Sequence, residues 1–173
     1  MKTLLLLSMM LPFLSCSSLF VKSSGRNPKP DGPATSYEYQ LSGTMRYPYT
    51  YYVVNRDSTG MVRIAWLTKN EPDVRVIRGP EDFFQHLDEL VAQYKLHKLK
   101  NLYLPRADVR DGKMWHAYIR FANNSISTGG DNAWPPTALR DGIDAINQYI
   151  QSLIDASSEE DVLEVHAYDK LSR

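Results

Sequence analysis

Two hydrophobic periods alternate along residues 36–173, and this alternation is the strongest constraint on the fold. Residues 83–94 and 139–153 carry apolar side chains at helical spacing, whereas the segments between them alternate apolar and polar side chains as strands do. A helix stripe and a strand face each need an apolar surface to pack against. The pattern therefore predicts an α+β fold, in which an antiparallel sheet of about five to seven strands carries two helices on one face.

The predicted strands are bounded by turn-forming residues and cover residues 36–43, 49–56, 61–68, 73–78, 113–122, 125–128 and 163–167. Continued helix is the alternative for the last segment. Asn123-Asn124 predicts a tight hairpin turn with positive φ. Gly142 predicts a close approach between the second helix and the sheet. Because a hairpin precedes a helix in residues 49–96 and again in 113–155, a duplicated ββα unit is one interpretation.

Residues 1–15 have the pattern of an export signal. Lys2 is followed by an apolar run that is shorter than the roughly 20 residues needed to span a bilayer, which is typical of a cleaved signal peptide. Ser15-Cys16 then resembles the end of the lipobox of bacterial lipoproteins. The resemblance implies cleavage before Cys16, a diacylglycerol on its sulfur and attachment to a membrane of the cell envelope.

The lipoprotein resemblance also implies an outer-membrane address, because Ser17 and Ser18 follow Cys16 without an acidic residue. Ordinary signal cleavage after Cys16, between the small residues Ser15 and Ser17, is the alternative and would give a soluble exported protein. Cys16 is the only cysteine of the chain. Once it is acylated, no thiol is left for a disulfide, a metal or a nucleophile.

Beyond the signal, composition divides the chain into a tether and one domain. Residues 16–35 are rich in Ser, Gly and Pro and predict a flexible or polyproline-like tether, with a loop folded onto the domain as the alternative. Residues 36–173 are long enough to bury a core without disulfides or metal. Losing residues 1–15 removes Lys2 alone and leaves 19 basic and 20 acidic residues, a net charge of −1. That balance excludes an electrostatic footprint for nucleic acid, and no cofactor or metal is predicted.

One set of residues could perform general acid–base chemistry. The chain contains no HExxH, GxSxG, Walker or GxGxxG motif. Asp111, His116 and Asp131, with Asp108 nearby, would meet only if the 105–112 and 129–134 segments lie at the same end of the sheet. A histidine with paired acids suits proton transfer. Roles in turns and caps explain the aspartates equally well.

The segment from Ser127 to Pro136 is the most distinctive stretch. Gly129 and Gly130 free the backbone there, while Asp131, Asn132 and Trp134 offer polar groups and a flat ring, as a ligand loop would. A strand-to-helix connection, with Trp134 as an apolar plug, is the alternative. The order of strand, Gly-rich turn, proline and helix resembles bacterial envelope proteins of no assigned activity, and the resemblance implies none.

Tyrosines crowd the first strands, and Tyr47, Tyr49 and Tyr51 alternate so that they would share one strand face. Exposed tyrosine rows bind sugars or proteins, although half-buried tyrosines are also ordinary strand residues. The leading hypothesis is a non-enzymatic, lipid-tethered binding or accessory module of the cell envelope, with a protein or glycan partner. A small envelope hydrolase using Asp111, His116 and Asp131 is the alternative.

Overall fold

The computed structural model describes residues 25–43, 50–67, 73–105 and 112–168. The strands are β1 (Ala34–Ser42), β2 (Thr50–Arg56), β3 (Val62–Leu67), β4 (Asp73–Arg78), β5 (Met114–Phe121), β6 (Ser125–Asp131) and β7 (Val162–Ala167). The helices are α1 (Phe83–Gln93) and α2 (Thr137–Asp155), each followed by a short 3₁₀ turn, Leu96–Lys98 and Glu159–Asp161. The predicted α+β class is confirmed.

The strands of the described residues form one antiparallel sheet in the order β6-β5-β1-β2-β3-β4-β7. The first strand of the sequence lies near the middle, because β1 pairs with both β2 and β5. β7 adds to β4 and closes the order at one edge. The sequence predicts a strand for this last segment with continued helix as the alternative, and the segment forms a strand.

Both helices pack on one face of the sheet, as predicted. Paired residues of antiparallel strands share a face, and Val54, Ile64 and Ile77 form such a row on β2, β3 and β4. All three are buried in one core with Phe83 and Leu87 of α1 and with Ile143, Ile146 and Ile150 of α2. The helix stripes read from the sequence are therefore the faces that contact the sheet.

Two local features differ from what the sequence predicts: the turn between β5 and β6, and the surroundings of Gly142 in α2. Asn123 and Asn124 connect β5 to β6, but neither has positive φ; the hairpin closes with the Phe121 amide donating to the Asn124 carbonyl at 2.8 Å. Gly142 is close to the segment after α1 rather than to the sheet. A Cβ there would lie 2.5 Å from Tyr94 Cβ and 2.8 Å from Leu96 Cδ2.

The domain begins earlier than the predicted boundary at residue 36. Ala34 and Thr35 already belong to β1, and the residues before them are attached to the domain. The buried Asn27 amide donates to the Leu99 carbonyl at 2.9 Å, and its oxygen accepts from the Ser127 amide at 2.9 Å. Residues 26–33 therefore form a loop folded onto the domain, which is the alternative to the predicted tether. Residues 16–24 lie outside the described part of the chain.

The proposed internal repeat is unequal in its strands. In residues 49–96, β4 stands between the β2–β3 hairpin and α1, whereas in residues 113–155 the β5–β6 hairpin leads directly to α2. After β1, the elements follow the predicted order of hairpin, strand, helix, hairpin, helix and strand. A duplication remains a prediction.

Candidate functional site

The sheet face opposite the two helices, here called the outer face, carries a continuous cross-strand row. Register places Glu38 of β1 beside Val53 of β2, then Ala65 of β3, Val76 of β4 and Glu164 of β7. Since side chains of paired residues project to the same side, the row lies on one face of the sheet. Across these five strands it is apolar between two carboxylates, and beyond Glu38 it continues through Tyr118 of β5 to Ser127 of β6.

A depression of about 540 Å³ follows this row, and we call it the outer trough. Its floor is apolar, because Val53, Ala65 and Val76 line it. Its rim is polar or aromatic and includes Glu38, Tyr51, Asn55, Arg63, Glu164 and His166. An apolar floor with a few converging polar groups is the usual composition of a ligand site.

Glu164 is held at one end of the outer trough by two neighbours. Arg63 Nη2 lies 2.5 Å from Glu164 Oε1, and His166 Nε2 lies 2.5 Å from Glu164 Oε2. The hydrogen bond to His166 and then that to Arg63 hold the pKa of the Glu164 carboxyl below its ordinary value. At neutral pH the rim therefore presents a fixed carboxylate whose charge is offset by Arg63.

Tyr51 lies further along the rim as a fixed aromatic group. Its ring meets that of Tyr168 edge to face, with centroids 5.5 Å apart and planes at 90°. Burial, followed by the nearby Glu38 and Tyr168, raises the pKa of the Tyr51 phenol to about 12. At neutral pH the phenol keeps its proton and can donate a hydrogen bond to a ligand.

The two end carboxylates of the outer trough are too widely spaced to act together as a glycosidase pair. Glu38 and Glu164 are four strand spacings apart in the sheet order. At about 4.8 Å per spacing, their backbones are roughly 19 Å apart. Paired carboxylates that hydrolyse glycosidic bonds lie only about 5–9.5 Å apart.

The predicted acid–base set is only partly within the described residues. Asp108 and Asp111 lie outside them. Trp115 and Ala117 of β5 are buried on the helix face, so the alternate residues Met114 and His116 lie on the outer face. Asp131 of β6 pairs with Met114 and shares that face, and both His116 and Asp131 are exposed. Asp131 Oδ1 accepts from Asn132 Nδ2 at 3.0 Å. In the described ranges, no hydrogen bond joins His116 to Asp131.

Asp131, Asn132 and Trp134 occupy a strand end and a connection rather than a free loop. β6 continues through Gly129 and Gly130 to Asp131. Asn132 has φ 48°, and its Oδ1 accepts from the Lys113 amide at 2.8 Å, which ties the connection to the start of β5. These contacts are those of a strand-to-helix connection, which is the alternative to the predicted ligand loop.

Trp134 packs within an aromatic stack at the same end of the sheet. Its ring is parallel to that of Trp115, with centroids 5.3 Å apart, and the Arg140 guanidinium lies over the Trp134 ring, 4.8 Å from its centroid. Gly130 makes room for this stack, since a Cβ there would lie 2.5 Å from Trp115 Nε1. The half-buried Trp134 ring is thus engaged by other residues of the domain.

The tyrosines divide between the two faces of the sheet. Tyr37, Tyr39 and Tyr52 are buried on the helix face, as the structural alternative expects. Tyr51 lies on the outer face, next to the outer trough. Tyr47 and Tyr49 lie outside the described residues, so the predicted tyrosine row is represented by Tyr51 alone.

Sequence reasoning missed most of the trough rim: Glu38, Arg63, Glu164 and His166. Each occupies a polar position of an alternating strand, and that alternation was the available signal. It indicates which face a residue occupies but not which strands are neighbours. Arg63 reaches Glu164 because β4 alone separates β3 from β7.

Among the described residues, no group of three or more His, Cys, Asp or Glu side chains is arranged to hold a metal ion. No helix in those ranges is long and apolar enough to cross a membrane. Cys16, the predicted lipid attachment site, lies outside them.

No family model matches the chain, and no curated protein matches it.

Proposed function

We propose that this protein is a lipid-anchored, non-enzymatic binding module of the cell envelope, and that the outer trough is its ligand site. The anchor is inferred from the apolar segment that ends at Ser15-Cys16. The binding role is carried by one observation, the depression of about 540 Å³ with an apolar floor and a fixed polar rim.

The chemistry of the outer trough favours a neutral glycan as the ligand. Two of its three carboxylates are already engaged, because Glu164 is paired with Arg63 and Asp57 accepts from Thr59 and Met61 within its own turn. The Arg56 guanidinium is bonded on the helix side, where it donates to the Glu81 carbonyl and lies over the Phe84 ring. An anionic ligand would be repelled by the acidic excess, and a cationic one would compete with contacts that already exist. A sugar chain presents apolar ring faces and hydroxyl edges, which suit the valine and alanine floor and the charged rim. Tyr51 adds a flat ring with a hydroxyl donor.

The small-hydrolase alternative has weaker support. It needs Asp111, His116 and Asp131 in a convergent pocket, and the His116 and Asp131 side chains are exposed and not hydrogen-bonded to each other. The glycan-binding proposal requires no such convergence.

Binding is tested by applying the full-length protein in detergent to an array of neutral oligosaccharides and then measuring affinity for the best ligand. Tyr51→Ala should lower that affinity by about tenfold or more, as expected for losing one buried aromatic contact. Tyr149→Ala is the matched control, because Tyr149 is a half-buried tyrosine of α2 on the helix side of the sheet, away from the outer trough. Absence of glycan binding, capture of an envelope protein alone, or equal loss in both variants would overturn the glycan assignment.

The anchor is tested separately by growing cells with a clickable fatty acid. Label should enter the parent chain and be absent from Cys16→Ala. Ser17→Ala serves as the control for a change beside the cysteine. Label that persists in Cys16→Ala, or a parent that takes none, refutes the lipid anchor without affecting the glycan test.

A further inference from the structure

The two edges of the sheet are treated differently by the chain. The β6 edge is covered: Asn27 Oδ1 accepts from the Ser127 amide at 2.9 Å, and Tyr103 bonds to Gly129 and Asp131 through its backbone at 2.8 and 3.2 Å. β7 forms the other edge. Within the described ranges, no segment pairs with its outer side.

β7 also carries apolar side chains that meet solvent. Leu163 is 44% exposed and Val165 is 52% exposed, and the strand contains neither lysine nor proline. Proteins usually protect a sheet edge with such residues, because a bare edge offers unpaired backbone groups to another strand. The apolar β7 edge, which no described segment covers, therefore needs a partner strand more than the β6 edge does.

We propose that two copies of this chain pair through antiparallel β7 strands about a two-fold axis at Val165. This register places Val165 beside the partner's Val165 and Leu163 beside the partner's Ala167. Glu164 then faces the partner's His166, a pairing of an acid with a base. Val165 pairs with Arg75, Arg75 with Trp66, and Trp66 with Tyr52 on the helix face, so the apolar pairs lie on the helix side. Glu164 and His166 alternate with Val165 and therefore lie on the outer side.

Neighbouring registers are less favourable for the same six residues. An axis at Glu164 would oppose two carboxylates, and like charges directly opposite each other destabilise a sheet. A shift by one residue would place Leu163 beside the partner's His166 and Glu164 beside the partner's Val165. The axis at Val165 alone matches apolar with apolar and acid with base on both sides. An isologous two-fold contact of this kind closes at a dimer.

Cysteine cross-linking tests both the dimer and its register. Cys16 is the only native cysteine, so full-length Cys16→Ser chains in detergent can carry a single new thiol. Directly opposed Cα atoms lie about 4.5–5.5 Å apart, within the reach of a disulfide. Val165→Cys should therefore form a covalent dimer under mild oxidation.

The register predicts a second result from mixed chains. Leu163→Cys and Ala167→Cys should cross-link when mixed, but neither should cross-link alone, since each is four residues, or roughly 14 Å, from its own copy. In the parent chain, sedimentation should give the dimer mass, and Val165→Lys should shift it to the monomer with an unchanged circular-dichroism spectrum. No dimer of Val165→Cys, or equal cross-linking by Leu163→Cys alone, overturns the proposal.

Discussion

Gly142 shows how the absence of one side chain sets the distance between two elements. It lies on the buried side of α2, where the chain after α1 approaches so closely that a Cβ would lie 2.5 Å from Tyr94 Cβ and 2.8 Å from Leu96 Cδ2. Tyr94 Cβ is attached directly to the backbone, so it cannot rotate away. Helix propensity alone would favour alanine by about 1 kcal/mol, but the crowding opposes it.

Gly142→Ala is therefore expected to destabilise the protein. Overpacking of a filled core costs about 1–3 kcal/mol, and the gain in helix propensity offsets about 1 kcal/mol of it, so the free energy of unfolding in urea should fall by up to about 2 kcal/mol. Gln148→Ala, an exposed change on the same helix, should have little effect. A more stable Gly142→Ala protein would mean that α1 and α2 are not packed this closely.

Glu164 should make folding sensitive to acid. Because His166 and Arg63 lower its pKa in the folded state, the folded carboxyl binds a proton less readily than the unfolded one. The stability it contributes is complete above its unfolded pKa and is lost as the pH falls through its folded pKa. Side-chain carbonyl NMR should show Glu164 titrating below its ordinary range, with a higher midpoint in His166→Gln. A midpoint unchanged by that substitution would show that the His166 contact is not formed in solution.

At the scale of elements, α2 is fixed to the sheet by phenol–amide hydrogen bonds as well as by its apolar stripe. Tyr37 on β1 donates to Asn147 Oδ1 at 2.7 Å, and Tyr52 on β2 donates to Gln151 Oε1 at 2.7 Å. Tyr37 is 1% exposed, and burial raises the pKa of its phenol well above the ordinary value. Its hydroxyl therefore stays protonated and serves as a donor to α2.

Tyr37→Phe should lower the free energy of unfolding by about 1–2 kcal/mol, because Asn147 Oδ1 loses a partly buried donor that water cannot readily replace. Tyr52→Phe should cost less, since Gln151 is exposed and water can take the place of the phenol. Urea unfolding of both variants measures the difference. Equal effects would show that both phenols are equally accessible to water.

The elements themselves were largely predictable from local periods, and the candidate site was not. Alternation placed Val62 and Ile64 on the buried face of β3, and helical spacing placed Ile143, Ile146 and Ile150 on the buried side of α2. The extension of β6 through two glycines was missed, because the reason for those glycines lies in other segments: a Cβ at Gly129 would lie 2.9 Å from the Trp115 carbonyl oxygen, and one at Gly130 would lie 2.2 Å from the Ala133 carbonyl oxygen and 2.5 Å from Trp115 Nε1. The outer trough depends on strand order, which no local pattern specifies.

For the whole molecule, a single core predicts a single unfolding transition. The buried core is one cluster with residues from both helices and from β1 to β6, and a small domain with such a core unfolds cooperatively. In Trp66→Phe, fluorescence reports only the Trp115–Trp134 stack, since the chain has 3 tryptophans. Its urea midpoint should coincide with that of far-ultraviolet circular dichroism, which reports the helices. A reducing agent should change neither, because a chain with one cysteine has no internal disulfide. Fluorescence that changes at a lower urea concentration than circular dichroism would mean that the β5–β6 end unfolds as a separate unit.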